Sequence, residues 1–246
     1  MDKLTLNHRS ATNMKRFKFL LLSIIILPIL YLGAGLILHN YTYPTHTPEF
    51  RTYFRDNSRF SSKWEKISFT ILSFNPEKGT IHVNMEIAPG GAQLASHEHD
   101  YFTESFFVQK GNLTGIINGI PQHFSKGQSV SIKAGVAHNF LNNTDSTVVL
   151  SSADNKGFEL PVNYVYALSQ LYGHWDADKT NRVPPKLYFH LAMLHKQFDY
   201  WLTEKGPSKT VQKILRICLA PTARLLKYEI YDYRFTPLLP GEAPME

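Results

Sequence analysis

The sequence predicts a mainly β protein, an antiparallel sandwich or closed barrel, with a membrane-crossing helix at its N-terminus and a helical extension at its C-terminus. Three observations carry that reading. Residues 66–154 are a succession of short segments that alternate in hydropathy, are rich in β-branched and aromatic residues, and are bounded by Gly, Asn and Asp. Residues 19–38 contain no charge, and a helix needs about 20 such residues to cross a hydrocarbon core of ~30 Å. After Glu159 the apolar spacing lengthens from every second residue to every third or fourth, the period of an amphipathic helix. The 246 residues thus divide into a basic segment (1–18), a transmembrane anchor (19–38), a spacer (39–65), the β domain (66–158) and the helical extension (159–246).

The basic segment sets Lys3, Arg9, Lys15, Arg16 and Lys18 against one acid, Asp2. Positive charge before an apolar span favours a cytoplasmic N-terminus, which places the β domain outside the cytoplasm, periplasmic or extracellular. A cleaved signal peptide is the rival, because Gly33, Ala34 and Gly35 follow the apolar run. An uncleaved single-pass anchor is favoured: the run exceeds the roughly 7–15 residues usual for a signal, and no A-x-A site follows it. Pro28 can kink the helix, and Tyr31, Tyr41 and Tyr43 fall toward the far interface, where aromatic rings settle. The formal net charge of +6 is concentrated in the first eighteen residues and in 205–227. That distribution points to a membrane surface rather than a nucleic acid, and neither a helix-turn-helix pattern nor aromatic and basic interleaving is present. One cysteine, Cys218, permits no disulfide within the chain.

The spacer is polar and aromatic, with Pro44 and Pro48. Two alternating segments, 66–74 and 79–90, then flank a turn-forming NPEKG, and Asn118-Gly119 signals a tight hairpin. Phe106, Phe107, Ile116, Ile132 and Phe140 stand at strand spacing and read as core. Sequons begin at Asn40, Asn112 and Asn142, but matches this short arise often by chance.

The candidate chemistry lies in residues 91–142. His97 and His99 are one residue apart, so on a strand both face the same side while Glu98 faces away. Glu104 follows Asp100-Tyr101, where a tight bend can return its carboxylate beside both rings. His138 follows Gly135, which lets the backbone turn sharply. Three imidazoles and a carboxylate suit one divalent transition metal ion (Fe, Mn, Co, Ni, Cu or Zn) better than Mg or Ca, which prefer oxygen shells. Ligand type does not choose among those metals. His82 and His123 also lie on strands and read as surface or hydrogen-bonded residues.

These residues resemble the two motifs of the cupin superfamily. The first runs Gly91, five residues, His97, one residue, His99, four residues, Glu104, six residues, Gly111; the second runs Gly127, seven residues, Gly135, two residues, His138, three residues, Asn142. Lys133 stands where the family usually has Pro, a residue that shapes a turn and is not a ligand. The resemblance covers roughly a third to a half of the chain if a domain of about 100 residues is assumed. It implies a single cupin barrel, a double-stranded β-helix or jelly roll, with His97, His99, Glu104 and His138 as metal ligands. It also implies, in oxygenase-like members, that the carboxylate matching Glu104 leaves the metal to serve as catalytic base. The expected function is a metal-dependent oxidoreductase, dioxygenase-like, acting on a small organic molecule; the alternative is a non-catalytic module that binds or senses a small ligand. If the chain assembles with itself, a homodimer is the expected form.

In the extension, Val162, Val165, Leu168 and Leu171 mark one side of a helix. Pro184-Pro185 then introduces a longer one with Leu187, Leu191, Leu194, Phe198 and Trp201 on one face, leaving His190 and His195 off the stripe and solvated. A third helix carries Val211, Leu215, Cys218 and Leu219 on one side, and Pro221 ends it or starts another. These apolar faces need a partner, which is the β domain, a second subunit or the bilayer beside the anchor.

Overall fold

The structure is a computed structural model of the chain and describes residues 3–42, 47–92, 95–178, 185–204 and 206–243. Asp2, Tyr43, Pro44, Pro184 and Lys205, which figure above, lie outside them. The chain forms two compact units, Met1–Pro44 and Thr45–Glu246. The first is helix α1 (Lys3–Ile37), prolonged by a π-helical turn (Leu38–Thr42). It contains, over Arg16–Tyr41, the one described helix long and apolar enough to cross a membrane, with a mean hydropathy of 2.6. A signal sequence near an N-terminus passes the same test of length and composition.

The second unit opens with α2 (Phe50–Tyr53), capped by the Glu49 carboxylate, which accepts from the amides of Arg51 and Thr52. Eleven strands follow: β1 (Arg59–Ser62), β2 (Ile67–Asn75), β3 (Thr80–Ile87), β4 (His97–Glu98), β5 (Glu104–Lys110), β6 (Asn112–Ile117), β7 (Ile120–Ser125), β8 (Ser129–Ile132), β9 (His138–Leu141), β10 (Val148–Ser151) and β11 (Phe158–Pro161). Then come α3 (Val162–Ala177), α4 (Lys186–Met193), β12 (Trp201–Leu202) and α5 (Lys209–Leu225). One sheet has the order β1-β2-β3-β10-β5-β8 with β11 also on β3; the other has the order β12-β4-β9-β6-β7. Every pairing is antiparallel.

The expected closed barrel is therefore two sheets, neither closed. Closure requires a strand paired into both, and no described strand has that role. Alternation puts Ile81, Val83, Met85 and Ile87 of β3 inward, where they meet Phe69, Ile71, Val148 and Leu150, all buried. Each such side chain contributes about 1.5–3 kcal/mol by leaving water. Pairing also reaches beyond the segment read as the β domain: β1 lies in the spacer, and β11 ends at Pro161.

Two turn positions shape the loops around the histidines. Gly135 has φ +75° in a turn closed by the Val136 amide on the Lys133 carbonyl at 3.2 Å, so this turn forms with Lys in place of Pro. Asn142 is fully buried and donates to the carbonyls of Ile87 and Ser146, which makes it a structural clasp and closes it to glycosylation.

The helical extension departs most from expectation. α3 buries Val162, Val165, Leu168 and Leu171, but also Tyr164, Tyr166, Ser169 and Gln170, because it is walled on both sides. The stripe ending at Trp201 is not one helix: α4 stops at Met193, a turn follows over 194–197, the Tyr200 amide donates to the Phe198 carbonyl at 3.1 Å, and only Trp201–Leu202 pair as β12. His190 is buried and His195 half-buried, not solvated. α5 runs through Pro221 to Leu225 and buries the side opposite its apolar stripe.

Candidate metal centre

Strand pairing assembles the first two histidines: His97 on β4 and His138 on β9 are directly opposed in register, with ring centroids 4.5 Å apart. His99 lies one residue past β4, and alternation returns its ring to the side of His97. Glu98 faces away and meets Lys209 at 2.6 Å. The three imidazoles are 6%, 2% and 1% exposed, and their donor nitrogens lie within 4.8 Å of one another.

Each ring is tied back by its Nδ1. That of His97 donates to the Ala95 carbonyl at 3.2 Å, that of His138 to Val136 at 2.8 Å, and that of His99 to Asp199. An Nδ1 proton so engaged leaves Nε2 as the free ligand atom, the usual outer-shell arrangement of metal-binding histidines. His99 Nε2 is buried with no hydrogen-bond partner, an orphan that a metal ion would satisfy. Glu104, at the start of β5, stands outside the three-histidine group but against two of its members: its Oε2 is 3.1 Å from His138 Nε2 and 3.8 Å from His99 Nε2. Donor types, convergence and orphaned nitrogen fit a transition metal of the kinds named above.

Burial pushes the pKa of His97 well below its ordinary value, and the neighbouring rings push it further. Burial also lowers His99, against the pull of Glu104. Both rings therefore present lone pairs at neutral pH. His138 differs: burial opposes its proton, but the hydrogen bond and charge of Glu104 outweigh that and raise its pKa. With a carbonyl at one nitrogen and a carboxylate at the other, its ring holds a second proton more readily than the other two, and an ion at Nε2 would displace that proton.

The wall of this centre comes from the helical extension, which sequence reasoning missed. Tyr200 stacks on His97 with centroids 4.1 Å apart, and Tyr164 meets His99 edge-on at 5.0 Å. Besides its carbonyl on His99, Asp199 offers a carboxylate that accepts from the amides of Asp100 and Tyr101 and from the Trp201 indole. β12 adds to the edge of β4, pairing Trp201 with Glu98 and Leu202 with His97. Buried Arg216 on α5 donates to the carbonyls of Phe198 and Tyr200 and stacks on Trp201 at 4.2 Å. Lys209 and Lys213 fasten the same helix to Asp100. The signal available was charge: Glu98 and Asp100 interleave the histidines, while α5 is basic and lacks acids. His82 and His123 lie elsewhere, bonded to Ser73 and Thr114.

A cavity of about 50 Å³ reaches the centre, lined by His97, Glu104, Tyr164, Met85, Phe140 and other apolar groups. It holds a few atoms, against the ~300–1,000 Å³ of an ordinary ligand pocket.

Residues 83–153 match the Cupin_2 family, described as a cupin domain. No curated protein sequence matches the chain. Among solved structures, KdgF from Halomonas sp. shares 16% identity over 46% of this chain and 86% of its own, with a TM-score of 0.30. A sugar phosphate isomerase of the cupin superfamily from Silicibacter pomeroyi shares 18% over 44% and 62%, with a TM-score of 0.31. A predicted oxalate decarboxylase from Thermotoga maritima shares 16% over 34% and 75%, with a TM-score of 0.32. At these scores none of the three bears on the chemistry of this chain. The matched segment contains all four of His97, His99, Glu104 and His138 together with both glycine-framed motifs, and residues 83–153 are thereby a cupin domain.

Proposed function

We propose that the chain is a membrane-anchored, metal-dependent cupin that performs oxygenase-type chemistry on a small organic molecule, its domain standing outside the cytoplasm. The observation that carries the reading is the back-bonding of three Nδ1 atoms, which turns three buried Nε2 atoms toward one place beside a carboxylate. His97, His99 and His138, with Glu104, would hold the ion, which supplies Lewis acidity and, if redox-active, electrons for dioxygen. Glu104 Oε2 would be the proton acceptor of the site: it lies 3.1 Å from His138 Nε2 and would be released from that contact when the ion takes the nitrogen. The Tyr164 hydroxyl, its pKa raised well above the ordinary by burial, stays protonated and serves as a donor. Met85 and Phe140 keep bulk water out.

The narrow cavity limits the molecule to one whose reacting end is a few atoms wide, unless side chains move. The same narrowness favours, as the second reading, a module that binds a small ligand without turning it over. One experiment separates them without a known substrate: ferrous protein exposed anaerobically to nitric oxide. A high-spin iron–nitrosyl signal means an open coordination position, which a catalytic site needs; a metal-loaded protein that gives none is closed and the enzyme reading fails.

A further inference from the structure

The third helix of the extension is mounted inside out. α5 turns polar residues toward the protein: Gln212 and Arg216 are each 8% exposed, and Gln212 grips both the amide and the carbonyl of Leu202. Val211, Ile214, Leu215 and Leu225, spaced as one helical face with half-buried Cys218 between them, are left 42%, 52%, 46% and 69% exposed, and Leu226 beyond the helix is 56% exposed. The opposite side, with Gln212, Arg216, Ala220 and Ala223 buried, is the one that packs on the protein.

We propose that this outward face of α5 lies on the surface of an anionic lipid bilayer. The proposal rests on the anchored reading above for the nearness of a membrane. Charge agrees: α5 carries Lys209, Lys213, Arg216 and Arg224 and no acid, with exposed Lys227 just past its end. Lys209 and Lys213 also answer Glu98 and Asp100 and Arg216 is buried, so the charge left to meet headgroups is that of exposed Lys227 at the C-terminal end. Area speaks against a second copy as occupant. A 17-residue helix is ~25 Å long and ~10 Å wide, or ~250 Å² of face, whereas a stable dimer buries about 800 Å² per partner. A bilayer needs only the stripe. Because the inner side of α5 holds Phe198 and Tyr200, the same helix would tie the wall of the metal centre to the membrane plane.

Cys218 is the only cysteine and reports on this face without engineering. The full chain, spin-labelled there and reconstituted at one chain per phosphatidylcholine–phosphatidylglycerol nanodisc, should relax more with dioxygen than with a water-soluble nickel chelate. An Ile214→Asp/Leu215→Asp variant should reverse that order with unchanged circular dichroism. Greater relaxation by nickel in the unsubstituted chain overturns the proposal, as does a label hidden from both reagents and spin-coupled in discs loaded with two chains, the signature of a second copy. Failure of the anchor is read separately, as release of the full chain from membranes by alkaline carbonate.

Discussion

A buried trio of histidines and a stacked pair, one buried and one half-buried, stand in this fold, and they have been built differently. At the metal centre, His97, His99 and His138 each spend Nδ1 on a carbonyl and turn Nε2 toward the others, with Glu104 alongside. At the junction of α3 and α4, His174 and His190 lie face to face, centroids 3.4 Å apart and planes 23° from parallel. Burial holds both of these neutral, His174 down to about 3 and His190 to about 4, each helped by a neighbouring cation. Their nearest carboxylate, Asp232, is spent on Arg234. Volume misleads here, since a surface cavity of about 650 Å³ opens over this stacked pair while the metal centre has only about 50 Å³. Burial disfavours the imidazolium in both places, but only the first adds direction and an opposing carboxylate, the two things a cation requires.

The comparison breaks most sharply on metal content. A His97→Ala/His138→Ala chain should carry no transition metal by elemental analysis while its parent carries close to one per chain; His174→Ala/His190→Ala should leave the parent value intact. Loss of metal in the second variant would mean that the stacked pair also binds.

Next in size is acid stability. The folded pKa values of about 3 and about 4 lie below the ordinary 6.5, so unfolded chains take up these protons first. Stability from the pair is complete above pH ~6.5 and is lost as pH falls through 4 and 3, by on the order of 2–3 kcal/mol at pH 4 after allowance for partial exposure. Denaturant midpoints measured across that range should flatten in a His174→Phe/His190→Phe chain, and an unchanged slope would refute the assignment.

Arg216→Ala probes the wall. It strips donors from the Phe198 and Tyr200 carbonyls and loosens the carbonyl on His99, and metal affinity should fall about 10–100-fold, as for other outer-shell losses. Unaltered affinity in a folded protein would show that the extension only covers the site.

The smallest effect concerns the proton on His138. Its pKa is raised by Glu104, and a ligand nitrogen must be deprotonated, so metal affinity should climb with pH through the range above 6.5 and then level off. Glu104→Gln removes the raising cause and leaves burial, which lowers; the midpoint of that climb should move to lower pH. A midpoint that stays put would mean that the proton displaced by the metal is not the one His138 shares with Glu104.

Much of this was legible in the residues. Strand alternation alone puts His97 and His99 on one side, and Asn118-Gly119 reads directly as the hairpin between β6 and β7, both residues having positive φ. The failures share one cause, that apolar spacing tells which residues want burial but not what will bury them. Phe198 and Trp201 continued a helical stripe from Leu187, yet the Arg216 guanidinium on the Phe198 and Tyr200 carbonyls and the pairing of Trp201 and Leu202 with β4 hold them out of a helix. His190 fell off the same stripe and looked solvated because its partner, His174, sits on another helix. In α5 the period was right and the buried side was left open; buried Arg216 faces inward because carbonyl groups there need donors. Closure of the β domain was overestimated because short alternating strands predict facing sheets and barrels equally well.

The strand β12 has one more implication, about time. His138 is made about sixty residues before Asp199 and Tyr200, and at ~5–20 residues per second that is ~3–12 s of synthesis. Throughout that interval the three rings exist with the edge of β4 bare, His99 lacking its carbonyl and His97 its stacked tyrosine. A nascent chain is thus a poor and unselective chelator, and the finished metal centre is reserved for molecules whose C-terminal third has been completed and folded back.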